Sequence, residues 1–299
     1  MLRLGTRTSL LARTQSTLVA GLVEKALGEP CELVPIRTDG DDPALRLDAP
    51  SRPGIFVATL REALLAGSVD LVVHSFKDLP SAPVPGLVVA AVPERGDPAD
   101  VLVATGDATL AQLPPRARVG TSSPRRAAAL LRARPDLRVE PVRGNIDTRL
   151  GLVSSGTLDA IVLAKAGLDR IGRAVPQAAL LDPTVMLPAP AQGALAVECR
   201  LDDPLAALLA TLDHSPSRCV VTAERAVLQG VEAACTTAVG AHAQYAAGIL
   251  ELRADLSGHR GVAYVQRYAA LALPDSGDLA AAHQLGLDVA AALLDGAGR

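Results

Sequence analysis

Aromatic residues are nearly absent from the sequence, which has no tryptophan, two phenylalanines and three tyrosines among 299 residues. The hydrophobic cores must therefore be built from leucine, valine and alanine. Few aromatics also disfavour recognition of single-stranded RNA, because that recognition stacks bases on aromatic rings. Lysine is equally scarce: Lys25, Lys77 and Lys165 are the only three, so arginine is the usual cation of the chain. The lysine at position 77 is therefore a stronger candidate for a functional residue.

Long apolar runs and paired cysteines are also missing. No run approaches the roughly 20 apolar residues of a membrane span, and residues 1–15 lack the apolar core of a signal peptide. The four cysteines, Cys31, Cys199, Cys219 and Cys235, lie far apart and form no C-x-x-C pair. Such spacing argues against disulfides and zinc. We therefore expect a cytoplasmic protein with no membrane partner and no metal site.

Alternating strand and helix patterns predict the fold. A chain of this length suggests two or three domains, and a β-α-β-α-β order, repeated once, is typical of doubly wound α/β sheets. The segment Ala194–Glu198 is predicted as a strand that returns to the first domain, and Arg37–Pro53 as a long loop. The C-terminal part alternates like antiparallel strands between two helices. We therefore predict two doubly wound α/β domains and a small α+β domain, at 1–93 with 194–212, 98–188 and 215–299.

A short apolar strand at Leu71–Val73 is followed at once by polar residues. Ser75, Lys77 and Asp78 come next, and a Leu-Pro pair then stops any regular element. In α/β proteins, ligands bind in the crevice beyond the carboxyl ends of the strands. We therefore expect these three side chains to reach a cleft. A surface ion pair between Lys77 and Asp78 is the alternative.

The N-terminus has a similar arrangement. Leu2–Leu4 is predicted as a strand, Gly5–Ser9 as a turn and Leu10–Leu27 as a helix. Arg7 and Ser9 would then lie at a helix N-terminus, where backbone N–H groups and the helix dipole favour an anion. Simple capping of the helix by a hydroxyl of this turn is the alternative, and both roles are compatible.

Arginines are concentrated between residues 116 and 149. This segment contains nine arginines and three acids, although the whole chain has a net charge of −3. The arginine fork matches a carboxylate or phosphate with two hydrogen bonds. The pattern indicates a small ligand with several anionic groups; a solvated basic surface and a nucleic-acid patch are the alternatives. The candidate residues near predicted strand ends are Thr121, Ser122, Ser123, Arg125, Arg126, Arg143, Gly144, Arg149 and Arg170.

Cys235 lies in a predicted loop between a helix and a strand, among small residues. Nothing bulky would shield its sulfur, so it is a candidate reactive thiol. An inert loop cysteine is the alternative. No histidine neighbours it in sequence, so a cysteine hydrolase is not supported.

Seven motifs in this order resemble the porphobilinogen deaminase family over nearly the whole chain. They are GTRTS at 5–9, VHSFKDLP at 73–80, GTSSPRR at 120–126, RGNIDTRL at 143–150, LAKAGLDRIG at 163–172, LPAPAQGALAVECR at 187–200 and ERAVLQGVEAACTTAVG at 224–240. The resemblance implies a fold like that of type II periplasmic binding proteins with a small third domain. It also implies a transferase that condenses porphobilinogen head to tail on a covalent dipyrromethane cofactor, releasing ammonia and then hydroxymethylbilane.

The resemblance also implies roles for individual residues. Asp78 would be catalytic, and Cys235 would carry the dipyrromethane by a thioether. The residues that would bind the cofactor are Ser75, Lys77, Asp78, Thr121, Ser123, Arg125, Arg126, Arg143 and Gly144. The residues that would bind the substrate are Arg7, Ser9, Arg149, Arg170 and Gln192. The implied protein is a cytoplasmic monomer with no metal, nucleic-acid or membrane partner.

Two other classes of function remain open at this point. One is a cytoplasmic binding module that senses an anionic ligand without chemistry, and the other is an interaction protein with a basic surface. Asp78 and Cys235 together favour the enzyme, because a sensor needs neither. A basic interaction surface would need lysines or interleaved aromatics, which the sequence lacks.

Overall fold

A computed structural model describes residues 1–37, 57–173, 175, 178–232, 238–258, 261 and 263–298. Cys235, and the predicted loop Arg37–Pro53 after its first residue, lie outside the described residues. The chain divides into two compact units, Met1–Gly96 with Gly193–Cys219 and Asp97–Gln192 with Val220–Arg299.

Strands and helices alternate along the described chain. Strands β1 to β13 span Leu2–Arg7, Cys31–Ile36, Leu71–Ser75, Leu87–Ala91, Asp100–Ala104, Arg118–Gly120, Arg138–Glu140, Ala160–Ala164, Ala178–Leu180, Leu195–Arg200, Ala238–Ala246, Ile249–Ser257 and Val265–Ala272. Helices α1 to α8 span Leu10–Leu27, Ala58–Leu65, Pro124–Ala133, Ile146–Ser154, Lys165–Arg170, Leu205–Leu209, Ser215–Gly230 and Leu279–Gly296. Short 3₁₀ turns lie at Phe76–Asp78, Thr105–Asp107 and Ala210–Leu212.

The first unit is built on a five-stranded sheet in the order β2-β1-β3-β10-β4. β1 pairs in parallel with β2 and β3, whereas β10 pairs antiparallel with β3 and β4. Neighbouring residues of β3 enter different cores: Val73 packs with Val19 of α1, and Val72 packs with Leu60 of α2. Both faces of the sheet are therefore covered by helices. The predicted return of a late strand to this sheet is confirmed.

The second unit contains a sheet of the same kind, in the order β7-β6-β8-β5-β9. β6 pairs in parallel with β7 and β8, and β5 runs antiparallel to β8 and β9. Leu102 packs with Leu130 of α3, whereas Val101 packs with Val153 of α4. This unit also holds the antiparallel sheet β11-β12-β13, against which α8 packs. The predicted fold class, two α/β sheets and a small α+β part, is confirmed.

The turn predicted at Gly5–Ser9 is wrong over its first three residues, because β1 continues to Arg7. Gly5, Thr6 and Arg7 pair in parallel with Val34, Pro35 and Ile36 of β2. Polar residues extend the strand here because the neighbouring strand supplies partners for their backbone groups. Arg7 therefore stands at the carboxyl end of β1.

A buried ion cluster supports the strand that leads to the predicted catalytic turn. Glu198 of β10 is 2% exposed and accepts hydrogen bonds from Arg61 of α2, at 2.9 Å from Nε and 2.7 Å from Nη2. His74 Nε2 of β3 lies 3.3 Å from the Glu198 carboxylate. Burial raises the pKa of Glu198, but His74 and Arg61 outweigh it and hold that pKa below its usual value.

Replacing Glu198 with alanine should destabilise the first unit strongly. The substitution leaves the Arg61 guanidinium buried without its carboxylate, which costs about 3–5 kcal/mol. The free energy of unfolding in urea measures this loss. The control is Glu29→Ala, which removes an exposed pair with the Met1 amino group at 3.0 Å and should cost less than about 1 kcal/mol. Equal losses in the two variants would contradict the prediction.

Candidate active site

A 3₁₀ turn at Phe76–Asp78 directly follows β3 in the first unit. The Leu79 N–H donates to the Phe76 carbonyl at 3.2 Å, and the Phe76 N–H donates to the Ala194 carbonyl at 3.0 Å. The side chains of Phe76 and Leu79 are both buried. The turn is thus anchored by its two apolar residues and by the segment that precedes β10.

The polar side chains of this turn are the accessible ones. Asp78 is exposed and Lys77 is half-buried. The Ser75 hydroxyl accepts a hydrogen bond from Gln15 Nε2 at 3.0 Å and lies 3.1 Å from Gln15 Oε1. Gln15 on α1 thereby links the first helix to the end of β3. The sequence analysis did not identify this glutamine.

Arg7 and Ser9 lie at the same edge of the sheet as this turn, because β1 and β3 are parallel. Arg7 ends β1, and the Ser9 hydroxyl caps α1 by accepting a hydrogen bond from the Ala12 N–H at 3.4 Å. Capping by Ser9 is therefore confirmed. Anion binding by Arg7 and Ser9 stays a prediction.

The loop after β6 in the second unit is held by its own hydroxyl groups. Thr121 Oγ1 accepts a hydrogen bond from the Ser123 N–H at 3.1 Å. Ser122 Oγ donates to the Val142 carbonyl at 2.7 Å, and Ser123 Oγ caps α3 by accepting from the Arg126 N–H at 3.4 Å. These three hydroxyl groups thus stabilise the conformation of the loop and the start of α3. Cofactor binding by Thr121 and Ser123 stays a prediction.

Two arginines in the first turn of α3 share one buried carboxylate. Arg125 Nη2 donates to Asp100 Oδ2, and Arg126 Nη2 donates to Asp100 Oδ1, both at 2.7 Å. Gln192 Nε2 donates to the same Oδ1 at 2.9 Å. Both arginines are 7% exposed and Asp100 is 1% exposed. This arginine cluster, defined by these four residues, carries two positive charges and one negative charge.

The charges of the arginine cluster favour an additional anion. Burial opposes ionisation of Asp100, but the two guanidiniums outweigh it and hold the pKa of Asp100 well below its usual range. Burial lowers the pKa of Arg125, although an arginine stays protonated at neutral pH. Arg125 Nε is buried and has no hydrogen-bond partner within the described part of the chain. A ligand carboxylate would satisfy this donor and neutralise the remaining charge.

The loop after β7 carries further predicted residues. Arg143 is exposed, and Gly144 has a φ of +103°. Asn145 caps α4, because its Oδ1 accepts a hydrogen bond from the Thr148 N–H at 2.8 Å. Arg149 follows within α4 and is half-buried. These residues lie at the edge where the parallel strands β6, β7 and β8 all end.

Arg170 ends α5, which directly follows β8, and burial lowers the pKa of its guanidinium. The structure therefore gathers the predicted residues at two strand edges, one in each unit. Cys235 lies outside the described residues.

Among the described residues, no group of three or more histidines, cysteines and acids could hold a metal ion. None of the described helices is long and apolar enough to cross a membrane.

Asp100 is the main site residue that the sequence analysis missed. It opens β5, a strand whose five residues are all buried. An acid at the start of such an apolar strand could have been predicted to pair with an arginine, because a buried carboxylate needs a cation beside it. The neighbouring arginine-rich segment could supply that cation.

Two family profiles match most of the chain. They are "Porphobilinogen deaminase, dipyromethane cofactor binding domain" over residues 2–207 and "Porphobilinogen deaminase, C-terminal domain" over residues 219–295. A porphobilinogen deaminase of Thermobifida fusca is 50% identical over 281 residues, covering 92% of this chain and 88% of the relative. One of Mycobacterium tuberculosis is 48% identical over 299 residues, covering 99% and 96%.

Two of the solved structures with some similarity to this chain are periplasmic proteins. A periplasmic substrate-binding protein of an ABC transporter from Coxiella burnetii has a TM-score of 0.45 at 17% identity, covering 75% of this chain and 95% of that one. The periplasmic VFT2 domain of BvgS from Bordetella pertussis has a TM-score of 0.43 at 16% identity, covering 71% and 86%.

Replacing Gly144 with alanine should destabilise the loop that carries Arg143. The positive φ disfavours alanine, and an added Cβ would lie 2.8 Å from the Thr148 side chain. We expect a loss of about 1–3 kcal/mol in the free energy of unfolding. The control is Gly151→Ala within α4, where an added Cβ meets nothing within 4 Å and helix propensity should improve by up to about 1 kcal/mol. A neutral Gly144 variant would count against the strained loop.

Proposed function

We propose how this chain, which belongs to the porphobilinogen deaminase family, uses the residues of its two strand edges. The activity is that of the family: a transferase joins porphobilinogen molecules head to tail on a dipyrromethane cofactor, releasing ammonia and then the linear tetrapyrrole hydroxymethylbilane. The sequence predictions of the family, the activity and the cofactor are confirmed. The roles of individual residues are the subject of the proposal.

The arginine cluster is the single observation that carries the assignment of the cofactor. Pyrroles built from porphobilinogen bear acetate and propionate side chains. The four residues of the cluster have one positive charge in excess and a buried donor on Arg125. One cofactor carboxylate would meet both needs. We assign the cofactor to Ser75, Lys77, Asp78, Thr121, Ser123, Arg125, Arg126, Arg143 and Gly144, with attachment at Cys235. When bound, the dipyrromethane supplies the free pyrrole α-carbon to which the first substrate is added.

We assign the substrate carboxylates to Arg7, Ser9, Arg149, Arg170 and Gln192. Arg7 and Ser9 are supported by their place at the N-terminus of α1, where backbone N–H groups favour an anion. Arg170 is supported by its partial burial, because screening by water weakens as a cation is buried. Gln192 is 1% exposed, and its amide nitrogen donates to Asp100 and to the Pro98 carbonyl. Since these bonds use both hydrogens of its amide nitrogen, we expect Gln192 to act on the substrate by orienting the arginine cluster.

Asp78 is proposed as the catalytic group because it is an exposed carboxylate on an anchored turn. Departure of ammonia from the substrate leaves a positive charge spread towards the pyrrole nitrogen. The Asp78 carboxylate would accept a hydrogen bond from that N–H and stabilise the charge as it develops. Once the new bond has formed, the same carboxylate could accept the proton released from the attacked pyrrole α-carbon. Lys77, the neighbouring residue in the sequence, would bind a carboxylate of the cofactor. Asp78 would then be available to interact with the pyrrole ring.

Replacing Asp78 with asparagine should lower kcat by about 10²- to 10⁴-fold, because the stabilising charge and the proton-transfer group are both lost. Steady-state turnover of porphobilinogen measures this, with circular dichroism to establish that the variant is folded. Asp107→Asn is the matched control, since Asp107 is an exposed acid in another 3₁₀ turn and should retain full turnover. Near wild-type turnover in the Asp78 variant would refute its catalytic role.

Replacing Cys235 with serine should give a chain without the cofactor, because the thioether sulfur is removed. Intact-mass spectrometry of the purified protein measures this directly. Cys31→Ser is the control: burial raises the pKa of the Cys31 thiol to about 11, so its thiolate is scarce, and this variant should keep the cofactor mass. A dipyrromethane mass on the Cys235 variant would contradict the assignment.

We further propose three domains, at 1–93 with 194–212, 98–188 and 215–299. Each of the three sheets falls within one of these domains, which supports the division. The proposal also places the enzyme in the cytoplasm as a monomer, acting on a small molecule and on neither nucleic acid nor membrane. The dispersed cysteines suit a reducing compartment and support that location.

A further inference from the structure

Asp255 is a buried acid that the proposed mechanism does not use. It lies in β12 of the three-stranded sheet and is 5% exposed. Its Oδ1 accepts a hydrogen bond from the Gly240 N–H of β11 at 2.9 Å. A single neutral hydrogen bond does not compensate the burial of a carboxylate, so cations are expected beside it.

The cations beside Asp255 come from α3, the helix that carries the arginine cluster. The charges of Arg132 and Arg125 lower the pKa of the Asp255 carboxylate, and so does the nearby Tyr264 hydroxyl. The Arg132 guanidinium carbon lies 3.8 Å from the centre of the Tyr264 ring. Arg132 is also fixed by donating to the Val185 carbonyl at 2.6 Å. Arg132 of α3 and Tyr264 therefore lie next to each other near the Asp255 carboxylate of β12.

A second contact brings Asp255 close to Arg125 itself. Arg125 Nη1 donates to the Leu187 carbonyl. A Cβ added to Gly240 would lie 2.7 Å from Asp255 Oδ1 and 3.2 Å from that same Leu187 carbonyl oxygen. The Ala241 N–H donates to the next carbonyl, that of residue 188, at 3.0 Å. Only a glycine fits between Asp255 and the segment that Arg125 holds.

We propose that Asp255 is a positioning residue for Arg125, supplied by the three-stranded sheet, whose charge limits how strongly the arginine cluster holds a carboxylate of the cofactor. With Asp100 alone, the cluster has one excess positive charge. Asp255 accepts from the Gly240 N–H, next to the Leu187 carbonyl that Arg125 binds, and its negative charge offsets part of that excess. The inference rests on the proposed role of Arg125 in holding the cofactor.

The effect of Asp255 on the arginine cluster should depend on pH. The groups that face Asp255 are Arg125 and Arg132 of α3, Tyr264 and the Gly240 N–H. Burial is the main cause that raises the pKa of Asp255 above its ordinary value. Because its pKa is raised, Asp255 takes up a proton at a higher pH than an exposed acid does as the pH falls. The cluster should then hold an anion more strongly.

The test measures how much the cofactor raises the thermal unfolding midpoint. The cofactor-loaded chain is compared with the same chain carrying Cys235→Ser, whose lack of cofactor is checked by intact mass. At pH 8, Asp255→Asn should enlarge the cofactor-dependent shift by about 2–4 °C, because one nearby negative charge is removed. As the pH is lowered, the wild-type shift should approach that of the variant.

Two matched variants separate charge from structure. Asp136→Asn removes an exposed acid paired with Arg134 at 2.8 Å, and should leave the cofactor-dependent shift unchanged. Tyr264→Phe removes the hydroxyl group near Asp255 but keeps the charge of Asp255. It should lower the midpoints of the loaded and cofactor-free chains equally. If Asp255→Asn behaves like Tyr264→Phe, the proposal is overturned.

Arg125→Gln distinguishes this failure from a failure of the proposed function. If Arg125 holds the cofactor, this variant should shrink the cofactor-dependent shift. A shrunken shift in Arg125→Gln, together with no change in Asp255→Asn, overturns only the role of Asp255. An unchanged shift in Arg125→Gln overturns the assigned role of Arg125 and, with it, this inference.

Discussion

Two guanidiniums that share one buried carboxylate are the constraint on which the second unit depends. Burying a charge costs several kcal/mol unless it is paired and hydrogen-bonded. The arginine cluster meets that demand with Asp100, with Gln192 and with the carbonyl groups of Val162 and Leu187. Within these four residues the pairing is complete for Asp100 but leaves one positive charge in excess, which Asp255 offsets only in part. That remaining charge makes the cluster suited to an anionic ligand.

A similar buried pair of an acid and an arginine is found in each α/β sheet. An antiparallel strand crosses an otherwise parallel set and delivers a buried acid to an arginine on a helix. In the first unit β10 brings Glu198 to Arg61, and in the second β5 brings Asp100 to the first turn of α3. Asp100 pairs with Ala164 at the end of β8. The acid therefore lies at the edge where the loops proposed to bind the cofactor begin, whereas Glu198 supports the strand before the turn that carries Asp78.

Local patterns in the sequence predicted much of the fold. Helix α1 has the predicted bounds because Ser9 caps it and Gly28, at a φ of +69°, ends it. The predicted end of β1 was wrong because Thr6 and Arg7 are residue types common in turns. Their pairing with β2, which extends the strand, cannot be read from the local sequence. The types of the site residues followed from motif and composition. Their partners did not, because Arg61 and Glu198 are 137 residues apart and Asp100 is 25 residues from Arg125. No local rule links such positions.

A crystal structure of the cofactor-loaded enzyme tests the central claim most directly. The account predicts that a dipyrromethane carboxylate lies within about 3 Å of Arg125 Nε, a normal hydrogen-bond distance, while both arginines keep their bonds to Asp100. A structure in which the cofactor carboxylates contact other residues, and Arg125 Nε stays buried with no ligand atom beside it, would contradict the account.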